Sequence, residues 1–303
     1  MHQESTIAFG PGQRLVGTLS TAPGGPLFGS GVVVLLTNAG VIGRSGPHRL
    51  NVKLARRLAE IGVDAFRFDL GGLGDSRRSD ASGPPAKQAV SDVRKAIEHA
   101  GGITGASRFV MFAICSGGPV AMDSALEDDR LCGLFIVDDV AYPTWKTHWN
   151  RIRMRIRAVG PTESVRMVGR AIGRGFRSVR RGMDSATSVY AEEVNSVGAR
   201  GASLREYAGR MMRLATRGCA IRLFYSGAVA DRYNYPEQFS EVFSRFGFPL
   251  QVSSRYAPEC DHTFTTERSQ RLVIEDFLDW VTPIVSRERQ QADGEAQRQT
   301  AVG

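Results

Sequence analysis

The most informative part of this chain is Arg-Phe-Val-Met-Phe-Ala-Ile-Cys-Ser-Gly-Gly, at residues 108–118. Its apolar first half is typical of a buried β-strand, and its second half has the pattern of a sharp strand-to-helix turn with Cys115 at the tip. Such a turn needs small residues two positions before and after its tip, where Ala113 and Gly117 stand, and Gly118 lets the next helix pack close to the sheet. The pattern predicts a thiol held at the carboxyl end of a strand, above a helix N-terminus that favours the thiolate.

Two other interpretations of this stretch remain open at the level of the sequence. A second register puts Ser116 at the tip, which then places the branched Ile114 at a crowded position and fits less well. A third interpretation makes Cys115 an ordinary buried cysteine, which is a common environment for that residue. Residues elsewhere in the chain favour the first interpretation.

Apolar segments alternate with helical patterns on both sides of this turn. Residues 4–9 and 13–19 alternate between apolar and polar side chains, which predicts an antiparallel hairpin. The other predicted strands are 31–37, 63–69, 108–114, 131–137, 219–225 and 249–256. The predicted helices are 47–61, 87–100, 116–127, 236–246 and 266–283. This alternation indicates an α/β protein with a mostly parallel central sheet and helices on both faces.

Residues 143–217 interrupt the alternation. They contain no convincing strand, and we expect an inserted helical lid over the carboxyl edge of the sheet. The core is then divided into 1–142 and 218–285, and the polar residues 286–303 are expected to be a disordered tail. Between 146 and 217 the chain has 16 basic and 5 acidic residues, a net charge of +11, whereas the whole chain carries +8.

Composition narrows the class of protein. With 303 residues, 42% hydrophobic and 23% charged, the chain is expected to fold as a globular core with an insertion. It has no apolar run of about 18 residues and no recognisable secretory leader, so we expect a cytoplasmic protein without membrane insertion. Cysteines at 115, 132, 219 and 260 lack paired spacing, so we expect no disulfide framework, no metal and no cofactor.

A nucleophile at the turn needs a base, and the base needs an orienting acid. His262 directly follows the last predicted strand, which places it at the same sheet edge as the thiol. For the acid we expect Asp231, six residues past a predicted strand, because the chain order nucleophile, acid, histidine is what this architecture produces. Asp138 and Asp139, after the preceding strand, remain the alternatives.

Backbone donors for an oxyanion are expected beside the turn. One is the N–H of Ser116, and the second is the N–H of Gly40 or Val41, in the small-residue loop after strand 31–37. The side chains that we expect to contact the substrate are Asn38, His48, Trp145 and Tyr233.

Four segments carry a resemblance to a known family. They are Leu-Leu-Thr-Asn-Ala-Gly at 35–40, Arg-Ser-Gly-Pro-His-Arg-Leu at 44–50, Phe-Arg-Phe-Asp-Leu-Gly-Gly-Leu-Gly-Asp-Ser at 66–76 and Cys-Asp-His-Thr-Phe at 260–264. Over about 1–142 and 218–283 the chain resembles the α/β-hydrolase superfamily, most closely its serine-aminopeptidase-like, exosortase-associated hydrolase group. The resemblance implies an α/β-hydrolase fold in which Asp231 and His262 complete a triad. Cys115 stands where most members carry serine, and in this respect the chain is similar to dienelactone hydrolases.

A cysteine nucleophile would react through an acyl-thioester intermediate, so we expect hydrolysis or acyl transfer on a small ester or thioester substrate. The arginine-rich segment would attract the phosphates of a coenzyme A thioester or an acidic acyl carrier protein. Nucleic acid is not expected, because few aromatic residues lie among the basic ones. The alternative is a non-catalytic binding module with the same fold, whose basic lid docks an acidic partner.

Overall fold

A computed structural model describes residues 3–22, 31–78, 83–159 and 202–302 of the chain. The strands are β1 Gln3–Phe9, β2 Leu15–Thr21, β3 Val32–Leu36, β4 Asp64–Phe68, β5 Arg108–Ile114, β6 Leu131–Val137, β7 Ala220–Ser226 and β8 Val252–Ala257. The helices are α1 Leu50–Glu60, α2 Pro85–Thr104, α3 Gly117–Glu127, α4 Trp145–Val159, α5 Leu204–Thr216, α6 Gln238–Phe243 and α7 Glu267–Val302.

All eight strands form one sheet in the order β1-β2-β4-β3-β5-β6-β7-β8. The first two strands pair antiparallel at one edge, and every pair from β4 to β8 is parallel. The parallel sheet that the alternation of strands and helices predicts is therefore confirmed. Because β5, β6 and β7 are neighbours and point the same way, residues just past their carboxyl ends lie at one edge of the sheet.

The two faces of the sheet bury separate apolar clusters. Along β3, Val33 and Leu35 face the cluster that includes residues of α2, α3, α5 and α6, whereas Val32, Val34 and Leu36 face the cluster that includes residues of α1 and α7. Every residue of β3 is buried, as its uninterrupted apolar sequence predicts for a central parallel strand. Apolar burial on both faces holds the carboxyl ends of the strands in fixed positions.

The boundaries of the expected lid, 143–217, differ from the structure at the carboxyl side. Helix α5 packs on the sheet, where Tyr207, Met211 and Leu214 belong to the buried cluster. The core thus resumes by Leu204 and not at 218, because an amphipathic helix with a wide apolar face covers β7 there. Residues 160–201, the middle of the expected lid, lie outside the described residues.

The expected disordered tail, 286–303, also differs from the structure, in which α7 continues to Val302. The buried face of α7 runs through Val281, Ile284 and Val285 and continues one turn further to Glu288, which is only 6% exposed. The Glu288 carboxylate is paired with Arg108, at 2.9 Å. The sequence pattern missed this extension because a charged residue occupies a buried position, where only a tertiary ion pair makes it acceptable.

No helix among the residues described is long and apolar enough to cross a membrane.

The close approach of α3 to the sheet gives a stability prediction. A β-carbon at Gly118 would lie 2.7 Å from Cγ2 of Ile136 and 3.0 Å from a carboxylate oxygen of Asp139, so Gly118→Ala should destabilise the fold by about 1–3 kcal/mol. In α5, a β-carbon at Gly209 meets nothing within 4 Å, so Gly209→Ala should stabilise the fold by about 0.5–1 kcal/mol. Urea unfolding of the two variants measures both changes. Equal effects of the two substitutions would show that the packing of α3 is loose.

Candidate active site

The turn between β5 and α3 has Cys115 at its tip. Cys115 has a left-handed backbone with φ of 55°, whereas Ser116 has ordinary right-handed helical geometry. The N–H of Cys115 donates to the carbonyl of Val137 at 2.9 Å, and the N–H of Gly118 donates to the carbonyl of Cys115 at 2.9 Å. Among the cysteines, Cys115 is exposed and the other three are buried, so the interpretation of Cys115 as a buried core residue does not hold.

Small residues make this turn possible. A β-carbon at Gly117 would lie 3.3 Å from the carbonyl oxygen of Asn38 and 3.4 Å from the β-carbon of Ala113. The first distance is tighter than ordinary van der Waals contact and the second is at its lower limit, so the chain has little space for a side chain at position 117. The spacing Ala113-x-Cys115-x-Gly117 is therefore a steric requirement of the observed turn.

His262 and Asp138 lie at the same edge of the sheet. Nδ1 of His262 is 2.8 Å from Oδ2 of Asp138, whose side chain is fully buried. Asp138 follows β6 directly and also has a left-handed backbone, with φ of 52°. Its carboxylate accepts hydrogen bonds from the N–H and the hydroxyl of Ser226, each at 2.7 Å. Three hydrogen bonds thus hold one buried carboxylate against the imidazole.

Asp231, the acid expected from the sequence, does not contact His262. Its side chain is 63% exposed, and the ion pair found for it is with its neighbour Arg232, at 3.7 Å. The physical reason is the short 3-10 turn Gly227–Val229, which begins directly after β7 and diverts the chain before residue 231. Of the alternatives, Asp138 is the residue that meets the imidazole. Asp139 points elsewhere and accepts a hydrogen bond from the Tyr207 hydroxyl at 2.6 Å.

Hydrogen bonding shifts the proton affinities of the pair formed by Cys115 and His262. The bond to Asp138, followed by the bond to Cys115, raises the pKa of His262 from 6.5 to about 10. The bond from His262 is the largest influence on Cys115 and lowers the pKa of its thiol below 9.0, against the opposing effect of burial. The pair therefore favours a thiolate beside an imidazolium, and the thiolate is the reactive form of a cysteine.

The expected oxyanion donors lie beside the thiol. The N–H of Ser116 is directed at the Cys115 sulfur, and it too lowers the pKa of the thiol. The N–H of Gly40 donates to the hydroxyl oxygen of Ser116 at 3.2 Å, so the loop after β3 reaches the residue that follows Cys115. Val41, the other expected donor, has a side chain that is 86% exposed.

Two of the four side chains expected to contact the substrate belong instead to the fold. The Asn38 side chain is buried and donates to the Asp69 carboxylate and the Ile42 carbonyl, both at 2.9 Å. Tyr233 is buried and stacks on Tyr225, with ring centroids 3.8 Å apart. These corrections share one cause, because both polar side chains find their partners inside the protein.

The other two expected contacts, His48 and Trp145, are exposed and remain candidates. Sequence reasoning missed Ser226, which holds the buried carboxylate of Asp138. Its only signal is its position at the end of a strand next to the strand that carries Asp138, and this adjacency becomes visible only in the sheet. Within the described part of the chain, no cluster of three or more His, Cys, Asp or Glu side chains could hold a metal ion.

Comparison with known proteins identifies the fold. No protein-family model and no curated protein matches the chain. Among solved structures, a dienelactone hydrolase from Anabaena variabilis is similar with a TM-score of 0.53 and 13% identity, covering 92% of this chain and 97% of that one. An esterase domain from a Rhodothermus marinus protein is similar with a TM-score of 0.52 and 13% identity, covering 93% of this chain and 98% of that one.

A third solved structure, an α/β serine hydrolase without a lid from Xanthomonas campestris, is similar with a TM-score of 0.51 and 12% identity, covering 92% of this chain and 93% of that one. Together with the sheet order and the turn at Cys115, these similarities show that the chain has the α/β-hydrolase fold.

The hydrogen-bonded pair predicts how the reactivity of Cys115 depends on pH. Alkylation by iodoacetamide follows the thiolate, so the midpoint of its rate against pH should lie below pH 9.0. Asp138→Asn removes the main cause of the raised pKa of His262, which weakens the imidazolium and should move the midpoint of alkylation upward. The direct repulsion of the thiolate by Asp138 acts in the opposite direction but is the smallest of the influences given for Cys115.

Asp231→Asn is the matched control, because it removes one carboxylate at an exposed position. Its alkylation profile should coincide with that of the unmodified chain. Mass spectrometry of peptides assigns the label to Cys115, and the rate is followed from pH 5 to pH 10. A shift with Asp231→Asn and none with Asp138→Asn would contradict the pairing seen in the structure.

Proposed function

We propose that this protein is a hydrolase or acyltransferase that acts on an ester or thioester through Cys115, His262 and Asp138. One observation carries the proposal: the imidazole of His262 is 2.8 Å from a buried carboxylate, and the same imidazole lowers the pKa of an exposed thiol. These are the parts of a nucleophile, a base and an orienting acid. The α/β-hydrolase fold supports this assignment by analogy alone, because fold does not determine activity.

In the first half of the proposed reaction, the Cys115 thiolate attacks the acyl carbon of the substrate. The carbonyl electron pair moves to oxygen, and the tetrahedral intermediate then expels the alcohol or thiol. The leaving group takes its proton from Nε2 of His262, since Nδ1 is engaged by Asp138. The product of this half is an acyl group joined to Cys115 as a thioester.

Negative charge on the tetrahedral oxygen needs donors that are already in place. The Ser116 N–H supports this role, because it points to the sulfur at the start of α3. We assign the second donor to the N–H of Gly40, which reaches an oxyanion once the Ser116 hydroxyl rotates away from it. Without substrate, the N–H of Gly40 thus donates its hydrogen bond to the hydroxyl of Ser116.

In the second half, the imidazole removes a proton from water, or from an amine, thiol or alcohol acceptor. The acceptor attacks the thioester, and the thiolate of Cys115 leaves with the bonding electron pair. An acyl thioester reacts readily with amines and thiols, so acyl transfer is proposed beside hydrolysis. We include thioesters of coenzyme A and of acyl carrier protein among the substrates, because residues 146–217 carry a net charge of +11.

Intact-mass spectrometry tests the proposal. The protein is incubated with a series of acyl thioesters and p-nitrophenyl esters, and we expect an increase by the mass of one acyl group, located on Cys115. Cys115→Ala should lose both the adduct and turnover. Asp138→Asn should lower kcat/KM by roughly 10²–10⁴-fold, whereas Asp231→Asn should change it by no more than about twofold.

Ser116→Ala is the control for the register of the turn. It preserves the backbone donor and Cys115, so the adduct should persist in this variant. An adduct on Ser116 would show that the hydroxyl is the nucleophile. A non-catalytic binding module would be supported by two results together. The folded protein would form no adduct with any probe, and the Cys115→Ala variant would keep the biological activity of the unmodified protein.

A further inference from the structure

Helix α4 has an exposed apolar row on its outer side. Successive helical residues are rotated by about 100°, so Trp145, Trp149, Ile152 and Ile156 fall within one narrow line along the helix. Their exposed fractions are 79%, 55%, 49% and 42%. Thr147, which lies on roughly the opposite side, is 0% exposed. In its first turn the helix therefore turns a polar side chain to the protein, and the apolar row faces solvent along the helix, unlike the apolar stripe of an ordinary surface helix.

Positive charge flanks this row on both sides. By helical position, Arg153 and Arg157 lie along one flank of the row and Arg155 along the other, and all three are exposed. The helix Trp145–Val159 contains no carboxylate. Lys146 also belongs to the helix but is paired with Glu241, at 3.1 Å. The exposed surface of α4 is thus an apolar line between cations.

The first turn of α4 is fastened to the core, which fixes the direction in which the row faces. The Asn234 amide donates to the carbonyl of Thr147 at 3.0 Å. The Thr144 hydroxyl is 2.6 Å from the hydroxyl of Tyr235. Together with the ion pair of Lys146, these contacts hold the amino-terminal turn, whereas residues 153–157 are all exposed. The contacts of the first turn therefore keep the apolar row of α4 facing solvent.

We propose that α4 docks the protein on the surface of an anionic lipid bilayer. A helix lying in the interface buries its apolar side about 5–10 Å deep and keeps its cations at the level of the headgroups. Tryptophan rings suit this boundary because they are amphipathic, and guanidinium groups pair with lipid phosphates. The helix would lie on the membrane and not span it.

A lipid surface fits these residues better than an acidic protein does. Carboxylates on a protein would pair with Arg153, Arg155 and Arg157, but they offer no apolar medium for two Trp and two Ile side chains in a row. A bilayer supplies phosphates and hydrocarbon side by side at the depth that the helix requires. The inference does not rest on the proposed reaction, because none of these residues belongs to the turn at Cys115; Trp145, which is also a candidate substrate contact, is left unchanged in the variants that test it.

Vesicle co-sedimentation of the full chain tests the docking. We expect binding to vesicles of phosphatidylcholine mixed with phosphatidylglycerol, weaker binding to phosphatidylcholine alone, and a loss of affinity at high salt. The emission of Trp145 and Trp149 should shift to the blue on binding, against a constant background from the partly buried Trp280. Cys115→Ala should bind equally well, which separates this test from that of the reaction.

Paired variants separate the apolar and the charged contributions. Ile152→Ser with Ile156→Ser should weaken binding by about tenfold or more. The two isoleucine side chains leave water when the helix binds the bilayer, and serine loses this favourable transfer. Its control is Ile61→Ser with Leu250→Ser, which removes two apolar side chains that are 46% and 100% exposed elsewhere.

Arg153→Gln with Arg157→Gln should also weaken binding by about tenfold or more. Its control, Arg205→Gln with Arg268→Gln, makes the same change in net charge at exposed positions on α5 and α7.

Two outcomes would overturn the proposal. In the first, the chain fails to bind phosphatidylglycerol vesicles, or the control pairs weaken binding as much as the α4 pairs do. In the second, the chain binds a soluble acidic protein such as acyl carrier protein through the arginines, and the two Ile→Ser changes have no effect on vesicle binding. That result would assign the surface to a protein partner.

Discussion

The carboxyl ends of β5, β6 and β7 are joined to one another by backbone hydrogen bonds that pass through the candidate active site. The N–H of Cys115 donates to the carbonyl of Val137 in β6, and the N–H of Asp138 donates to the carbonyl of Phe224 in β7. Each N–H thus continues the parallel ladder one step beyond its own strand, and there the chain leaves the sheet with a positive φ. The register of three neighbouring strands consequently fixes where the thiol and the carboxylate lie.

A left-handed backbone at a residue that carries a β-carbon costs about 1–2 kcal/mol. Cys115 and Asp138 both adopt it, on adjacent strands, so the fold sustains this strain at two positions beside the imidazole. Apolar burial on both faces of the sheet provides the stability that permits such strain. We infer that the strain is retained because it directs both side chains toward His262, which arrives from the loop after β8.

The buried carboxylate of Asp138 shows how position determines proton affinity. Three hydrogen bonds surround it, and one of them holds the imidazole of His262. That bond is the main reason for the raised pKa of His262, and the raised pKa in turn favours the thiolate of Cys115. A carboxylate as exposed as Asp231 would be screened by water and would support an imidazolium much less.

The sequence determined the elements and the turn, because these depend on local spacing: the uninterrupted apolar run of β3, the small residues around Cys115, and His262 directly after the last strand. It favoured Asp231 over Asp138, since both follow strands and the difference lies in which strand adjoins β5. It also did not foresee the buried Glu288, the core role of α5 or the inward position of Asn38. These depend on partners far away in the chain, such as Arg108 for Glu288, and only the packing of the sheet and helices brings such partners together.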